Sequence, residues 1–179
     1  MLDVGCGLQP YRHMLGRGVT DYVGVDRVGD LTQPTVVGTA EALPVPDATF
    51  DVVLCTMVLE HVSDPRRVLR EVRRVLVPNG RVVLTVPGVW PTHEAPHDYW
   101  RFTRFGLEAL MREFRLEGDL VPLGGLWAVV GQMAVLAMSP IRVVRQLVPV
   151  VNVVTGWLDR VGSREELTLA WMIDARAQA

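Results

Sequence analysis

Short apolar runs recur along the first half of the chain, with loop or helical segments between them. They are Met1–Val4, Tyr22–Val25, Thr35–Val37, Phe50–Cys55 and Arg81–Val86. The runs FDVVLC and RVVLTVP are nearly continuous in Val and Leu, which is typical of strands buried on both faces of a parallel sheet. Because strands alternate with helical segments, the pattern predicts an α/β fold with a doubly wound, mostly parallel sheet.

The segment SDPRRVLREVRRVLVPNG, between the last two runs, has the spacing of an amphipathic helix. Ser63 or Asp64 can cap its N-terminus, and Pro65 suits the first helical turn. The apolar face consists of Val68, Leu69, Val72, Val75 and Leu76. The letters PNG then end the helix and turn the chain. The arginines of this helix are interpreted as a solvated outer face rather than as a nucleic-acid patch.

The second half of the chain predicts a helix at about Thr103–Phe114, a strand near Leu116–Val121 and a last strand within ELTLAWMIDARA. Between those two strands, residues 126–162 have the pattern of two apolar helices that Pro140 separates. No repeat or linker interrupts the sequence, so residues 1–179 are expected to form one domain. Residues 126–162 are expected to be a helical insertion whose two helices pack on the core or on a second subunit, or form an apolar lid or a peripheral membrane contact.

Composition narrows the function classes. The chain is 49% hydrophobic with a net charge of −2, which predicts a globular protein that does not bind nucleic acid. Two cysteines and no apparent signal peptide favour the cytoplasm. All 18 basic residues are arginine, which excludes the lysine-dependent phosphate loop and fits a GC-rich bacterial genome.

The stretch MLDVGCGLQPY places an acid just before a glycine pair, at the end of the first predicted strand. A second acid, Asp26, ends the next strand, which is the outline of a nucleoside-binding α/β site. A dinucleotide would place its pyrophosphate at the glycine turn, but Asp3 would repel this anion, and Pro10 stands where a third glycine is expected. A cationic nucleoside such as S-adenosyl-L-methionine (SAM) suits two acids better than NAD does.

Four segments then resemble, in order, class I SAM-dependent methyltransferases of the type 11 group. LDVGCG resembles motif I, and YVGVD resembles the segment that follows it. GTAEALPVPDATFDVVLCTMVLEHV resembles the motif II region, and LVPNGRVVLTVP resembles motif III. The resemblance covers about residues 1–115. It implies a Rossmann-like seven-stranded sheet in the order 3-2-1-4-5-7-6, with an N-terminal truncation, because in the family a helix precedes motif I.

The resemblance also implies a set of cofactor-binding residues. They are Asp3, Gly5, Cys6, Gly7, Asp26, Thr39, Ala40, Glu41, Thr56 and Met57. In this assignment the first glycine turn lines the methionine end of SAM, and Asp26 holds the ribose. Ala40 offers a backbone amide to the adenine ring, with Thr39 or Glu41 near its amino group. Cys6 and Cys55 are interpreted as small buried residues rather than as nucleophiles.

Candidate catalytic residues lie in THEAPHDYWRFT, directly after the fifth predicted strand, where open α/β sheets bind their ligands. His97 is predicted to be the general base, with Asp98 or Glu94 orienting it, and His93 is a further candidate. A zinc site that combines these four residues is disfavoured, because no cysteine is near and the spacing matches no standard finger. No metal is therefore expected.

The predicted function is transfer of a methyl group from SAM to a small-molecule, glycan or lipid-linked acceptor. Oxygen is favoured as the acceptor atom, because a hydroxyl needs a base to remove its proton, for which the loop offers candidates, whereas an amine needs only to be neutral. Two alternatives stay open at this point. One is a SAM-binding module without catalysis or a truncated inactive homologue, and the other is an NAD-dependent oxidoreductase.

Overall fold

The structure, a computed structural model, describes the chain except residues 17, 30–31, 139–141, 163–166 and 179. For residues 142–145 it describes the backbone alone. The strands are β1 Leu2–Val4, β2 Val23–Asp26, β3 Val36–Val37, β4 Phe50–Thr56, β5 Leu76–Pro87, β6 Phe114–Leu116, β7 Val121–Leu123 and β8 Ala170–Ala177. The α-helices are α1 Pro65–Val75, α2 Arg104–Leu110, α3 Leu126–Met138 and α4 Arg142–Gly162. Short 3-10 turns occupy Arg12–Met14, Leu59–His61 and Met111–Glu113.

The strands form one sheet in the order β3-β2-β1-β4-β5-β8-β6, and β7 pairs with the first part of β8. Strands β1 to β5 are parallel, whereas β8 is antiparallel to β5, β6 and β7. The predicted α/β class is therefore confirmed. The expected 3-2-1-4-5-7-6 order is present, with β8 in the place of the seventh strand and β7 as an additional short strand.

The core lies where the apolar runs predict it. Val4, Val53 and Leu84, on three adjacent parallel strands, are fully buried. Helix α1 covers the sheet with a buried apolar face that includes Val68 and Val72. Along residues 52–56 of β4 and residues 82–86 of β5, one face is fully buried and the other is half-buried, so apolar residues occur on both faces.

The N-terminus of α1 is capped as the sequence predicts. The side chain of Asp64 accepts a hydrogen bond from the backbone N–H of Arg66 at 3.0 Å. Pro65 follows as the first helical residue, where its missing N–H costs no helical hydrogen bond. Of the two predicted capping residues, Asp64 is therefore the cap.

Three predicted boundaries are wrong. The single strand predicted near Leu116–Val121 is interrupted by residues 117–120, where Gly118 has a φ of +123° that a strand does not accommodate. Helix α2 ends at Leu110, and the chain then forms a 3-10 turn, so the helix prediction to Phe114 is too long. Strand β5 already begins at Leu76, and PNG lies in a bulge of this strand at which Asn79 has a φ of +62°.

Helices α3 and α4 form an antiparallel hairpin between β7 and β8. The helices approach closely, since a Cβ added to Gly131 would lie 2.6 Å from Cγ2 of Thr155. The carboxylate of Asp159, near the end of α4, accepts hydrogen bonds from the backbone amides of Gly125, Trp127 and Ala128 and so caps α3. Two helices are present as predicted, while the predicted break at Pro140 lies outside the described residues.

The hairpin begins at the edge of the sheet where the parallel strands end. Pro87, the last residue of β5, and Leu123, the last residue of β7, both pair with Ala170 of β8. The backbone N–H of Gly88 donates to the carbonyl of Leu169 at 2.8 Å, which joins the base of the hairpin to the loop after β5. The hairpin and the loop that carries the candidate catalytic residues therefore share one edge.

Candidate active site

A cleft of about 720 Å³ lies at the carboxyl ends of the parallel strands. This volume is in the range of small-molecule sites in proteins. Its lining includes most of the residues predicted to bind the cofactor: Gly5, Gly7, Asp26, Thr39, Ala40, Glu41 and Met57. The other three, Asp3, Cys6 and Thr56, lie outside this lining, and the first two are buried behind it.

The turn after β1 requires glycine at its first position. Gly5 and Gly7 have φ angles of +68° and +50°, in the left-handed region that residues with a Cβ atom rarely adopt. A Cβ atom on Gly5 would also lie 2.3 Å from Cγ2 of Val58, which is closer than atoms can approach. The turn is held by backbone hydrogen bonds from Gly5 and Cys6 to the carbonyl of Val25.

Asp26 connects this turn to the end of β2. Its Oδ2 accepts a hydrogen bond from the N–H of Gly7 at 2.8 Å, and its Oδ1 accepts one from the N–H of Arg27 at 2.7 Å. A carboxylate offers about four lone-pair positions, so both oxygens keep capacity for a further donor. Because Asp26 lines the cleft, these positions are available to the hydroxyl groups of a bound ribose.

Asp3 lies beneath the turn rather than in the wall of the cleft. Its side chain is almost completely buried, and Oδ2 accepts a hydrogen bond from the hydroxyl of Tyr22 at 2.5 Å. Oδ1 has no hydrogen-bond partner among the described residues. Burial raises the pKa of Asp3, the Tyr22 hydrogen bond opposes this, and nearby Asp26 adds to the rise. A cation bound above the turn would stabilise the ionised form of both acids.

The two cysteines fit the prediction that they are not nucleophiles. Cys6 and Cys55 are both buried and free. Burial, followed by the charges of Asp26 and Asp3, raises the pKa of Cys6 to about 11. Burial also raises the pKa of Cys55, with Glu60 as the next cause. Both thiols therefore stay protonated at neutral pH.

Residues 88–103 form a loop after β5 that is organised by Asp98. The carboxylate accepts hydrogen bonds from Nη1 and Nη2 of Arg101, both at 2.7 Å, and from the backbone N–H of His93 at 2.9 Å. The Arg101 hydrogen bonds hold the pKa of Asp98 well below its usual range. Arg101 also donates to the carbonyls of Trp90 and Pro91, so this ion pair fixes the conformation of the loop.

The predicted pairing of His97 with Asp98 is not formed, because Asp98 is bound to Arg101 and His93. Nδ1 of His97 instead lies 3.1 Å from the hydroxyl of Tyr99. The His97 ring is exposed and does not line the cleft, whereas Glu94 of the same loop does. The backbone carbonyl of His97 accepts a hydrogen bond from Nδ1 of His61 at 2.7 Å, which connects the loop to the end of β4.

Two residues from LEHV belong to this region: His61, which the sequence predicts near the floor of the pocket in either a packing or a catalytic role, and Glu60, which the sequence did not single out. His61 lines the cleft together with Glu94, and Nε2 of His61 lies 3.9 Å from Oε2 of that glutamate. Glu60 is fully buried next to it, and burial raises its pKa to about 7. An acid and a histidine directly after a buried strand are the sequence signal that could have indicated this part of the site.

Comparison with known proteins identifies the fold and a family resemblance. Residues 2–84 match the family model described as a methyltransferase domain. The uncharacterised methyltransferase YcgJ of Bacillus subtilis is 32% identical over 112 residues, which cover 55% of this chain and 42% of YcgJ. The ubiquinone/menaquinone biosynthesis C-methyltransferase UbiE of Ralstonia pickettii is 40% identical over 83 residues, which cover 45% of this chain and 34% of UbiE.

The crystal structure of YcgJ superimposes with a TM-score of 0.61 at 17% identity, over 99% of this chain and 91% of YcgJ. Residues 2–84 thus resemble a methyltransferase domain, and the chain has the fold of SAM-dependent methyltransferases. The [4+2]-cyclase SpnF superimposes with a TM-score of 0.60 at 18% identity, over 99% of this chain and 74% of that chain. At such identities the structural likeness shows the fold alone. In the sequence comparison, the chain covers less than half the length of YcgJ and of UbiE.

The residues of this cleft fit SAM. The glycine turn leaves the space that a Cβ atom would fill, and Asp26 presents acceptors at the wall of the cleft. The unpartnered Oδ1 of Asp3 and the acidic character of the turn favour a ligand with an ammonium and a sulfonium. Thr39, Ala40 and Glu41 line the part of the cleft that the resemblance assigns to adenine.

Proposed function

We propose that this chain transfers a methyl group from SAM to an oxygen of a small-molecule, glycan or lipid-linked acceptor. The observation that carries the proposal is a single cleft, lined both by Gly5, Gly7 and Asp26 and by His61 and Glu94. When bound, SAM supplies an electrophilic methyl group. The residues on the cofactor side hold the nucleoside, and those on the other side hold the acceptor.

Alignment of the acceptor with the methyl group supplies most of the acceleration, because this transfer disperses charge and needs no oxyanion hole. An acceptor hydroxyl must in addition lose its proton, which is the task of a general base. The proposed base is His97, which belongs to the same loop as the cleft residue Glu94 and would reach the acceptor by a movement of this loop or through a water molecule. The hydroxyl of Tyr99 positions the His97 ring through its contact with Nδ1. Because the His97 ring is exposed, it can pass the proton to solvent.

Incubation with SAM labelled in its methyl group tests this function. We expect release of S-adenosylhomocysteine that depends on a hydroxyl-bearing glycan or lipid acceptor, with the label in an ether linkage of the product. Binding of SAM without release in the presence of any acceptor would instead support a non-catalytic SAM-binding module. SpnF shows that a cyclase can share this fold, so the label must be followed into the product.

The α3–α4 hairpin supports a lipid-linked acceptor and a peripheral membrane contact. The helices pack mainly against each other, and α3 buries fully only Val129 and Gly131. Large apolar side chains along the hairpin stay exposed, among them Val153 at 72% and Trp157 at 61%. Between Leu120 and Leu158 the only charged residues are arginines, so the segment suits anionic lipid headgroups. None of the described helices has the length and hydropathy to cross a bilayer.

Vesicle flotation tests the membrane contact. We expect the protein to bind phosphatidylglycerol vesicles more strongly than phosphatidylcholine vesicles, and the double variant Val153→Glu/Trp157→Glu to lose this binding, because two charges would enter the interface. Phe105→Glu is the matched control, since Phe105 is 77% exposed on α2, outside the hairpin. Equal binding by wild type and double variant would contradict the proposal, and a concentration-dependent dimer of the wild type would assign the hairpin to a second copy.

A further inference from the structure

Glu60 is a buried carboxyl without a hydrogen-bond partner for its side chain. It belongs to the 3-10 turn Leu59–His61 after β4, and its side chain has no exposed surface. Neither Oε1 nor Oε2 forms a hydrogen bond with any described residue. Buried carboxyl groups are normally hydrogen-bonded, paired with a charge or bound to a metal, because desolvation without a partner is strongly unfavourable. A ligand bound at Glu60 would therefore supply the partner that no described residue provides through a hydrogen bond.

Two histidines lie beside this carboxyl. Glu60, His61 and His93 each place one potential ligand atom within 4.8 Å of those of the other two. Nε2 of His61 lies 3.9 Å from Oε1 of Glu60, and the two imidazole rings are in edge contact with centroids 4.8 Å apart. A small movement of these side chains would bring the atoms to the spacing of ligands around one metal ion.

Hydrogen bonds fix the orientation of both rings. Nδ1 of His61 lies 2.7 Å from the carbonyl of His97, and a carbonyl only accepts, so Nδ1 carries the hydrogen and Nε2 keeps its lone pair. Nδ1 of His93 lies 3.3 Å from the carbonyl of Pro91 and 3.4 Å from Oδ2 of Asp98. A ring nitrogen held by a carbonyl or a carboxylate, with the other nitrogen left free, is the usual arrangement of metal-binding histidines.

We propose that Glu60, His61 and His93 bind one divalent transition-metal ion, with Zn²⁺ as the best-matched candidate. Two imidazoles and one carboxylate are a known ligand set of catalytic zinc sites, which keep a fourth position open. Imidazole ligands disfavour Mg²⁺ and Ca²⁺, which prefer oxygen. The site joins residues 60–61 with residue 93, whereas the metal site disfavoured from the sequence combined His93, Glu94, His97 and Asp98.

The role of the ion rests on the proposed function. Of the three proposed ligands, His61 lines the cleft, so the ion would lie next to the space assigned to the acceptor. Such an ion would make a bound hydroxyl lose its proton more readily, and this proton would pass through solvent to the proposed base, His97. The acceptor oxygen then forms a bond to the methyl carbon as the bond from that carbon to sulfur breaks, and S-adenosylhomocysteine leaves.

Metal titration of the full chain tests the site. After treatment with a chelator and its removal, we expect one equivalent of Zn²⁺ to bind in calorimetry and one of Co²⁺ to give the visible absorption of a tetrahedral site. Glu60→Gln and His93→Ala should each weaken Zn²⁺ binding by at least about 100-fold, because each removes a direct ligand. His13→Ala, which changes an exposed histidine elsewhere on the surface, should bind as wild type does.

Calorimetry with S-adenosylhomocysteine on the same variants separates the metal site from the cofactor cleft and shows that each variant is folded. Cofactor binding without any Zn²⁺ or Co²⁺ binding by wild type would overturn this inference and leave the proposed function standing. Metal binding that survives unchanged in both ligand variants would also overturn it. Metal binding without cofactor binding would contradict the proposed function but support the metal site.

Discussion

An Asp26→Ala variant is expected to bind SAM about 1–3 kcal/mol more weakly than wild type, or roughly 5–150-fold in Kd at 25 °C. Both oxygens of Asp26 already accept one backbone hydrogen bond, and they keep further lone pairs at the wall of the cleft. Removing the carboxylate would leave ribose hydroxyls without partners in a site that excludes part of the solvent. Isothermal titration calorimetry of wild type and variant measures the difference.

Asp51→Ala is the matched control for Asp26→Ala, because Asp51 is exposed near the beginning of β4, at the opposite edge of the sheet. The Asp51→Ala variant should bind SAM with the same affinity as wild type. Asp26→Asn should lose less affinity than Asp26→Ala, since the amide oxygen can still accept from the N–H of Gly7. Unchanged affinity in Asp26→Ala would show that this acid does not hold the ribose.

A His97→Ala variant is expected to lower turnover on the order of 10²-fold while its affinity for SAM stays within about twofold of wild type. The reason is that a general base acts on the acceptor proton and not on the cofactor. Steady-state rates of S-adenosylhomocysteine release, combined with calorimetry, separate the two quantities. Tyr99→Phe should give a smaller loss of rate, because it removes only the hydroxyl beside Nδ1 of His97.

The exposed His13 again supplies a matched substitution, and His13→Ala should retain full turnover. If His97→Ala lowers the rate and the affinity for SAM by the same factor, His97 has a structural role. It would then act through the loop, which its backbone carbonyl joins to His61. Unchanged turnover in His97→Ala would remove it from the mechanism and leave the residues that line the cleft as candidates.

Much of the fold could be predicted because buried parallel strands leave a direct signal in the sequence. Runs such as FDVVLC and RVVLTVP must be apolar on both faces, and β4 and β5 lie where these runs are. The boundaries around Gly118 and Asn79 could not be predicted, since a single residue with positive φ decides them. Hydrophobic periodicity carries no information about such a backbone angle.

The position of Gly5, Gly7 and Asp26 in one wall of the cleft was predictable for a similar reason. Gly5, Gly7 and Asp26 follow strand ends, and the carboxyl ends of neighbouring parallel strands meet at one edge. The sequence did not show that Asp3 would be buried beneath the turn, because the contact with Tyr22 depends on how β1 and β2 pair. The family match supports SAM as the cofactor but does not determine which atoms Asp3 contacts.

The acceptor side was predicted less well. The loop after β5 was identified from its polar and aromatic residues, but Asp98 binds Arg101 and His93 instead of orienting His97. The cluster of Glu60 with His61 and His93 joins two segments that are distant in the sequence. Such proximity results from the packing of the 3-10 turn after β4 against this loop, and no local pattern encodes it.

Calorimetric titration of wild type with SAM and, separately, with NADH tests most directly whether this cleft is a methyltransferase cofactor site. We predict that one equivalent of SAM or S-adenosylhomocysteine binds, and that NADH binds far more weakly, because Asp3 beside the glycine turn repels its pyrophosphate. Tighter binding of NADH than of either SAM or S-adenosylhomocysteine would contradict the assignment of this cleft to SAM.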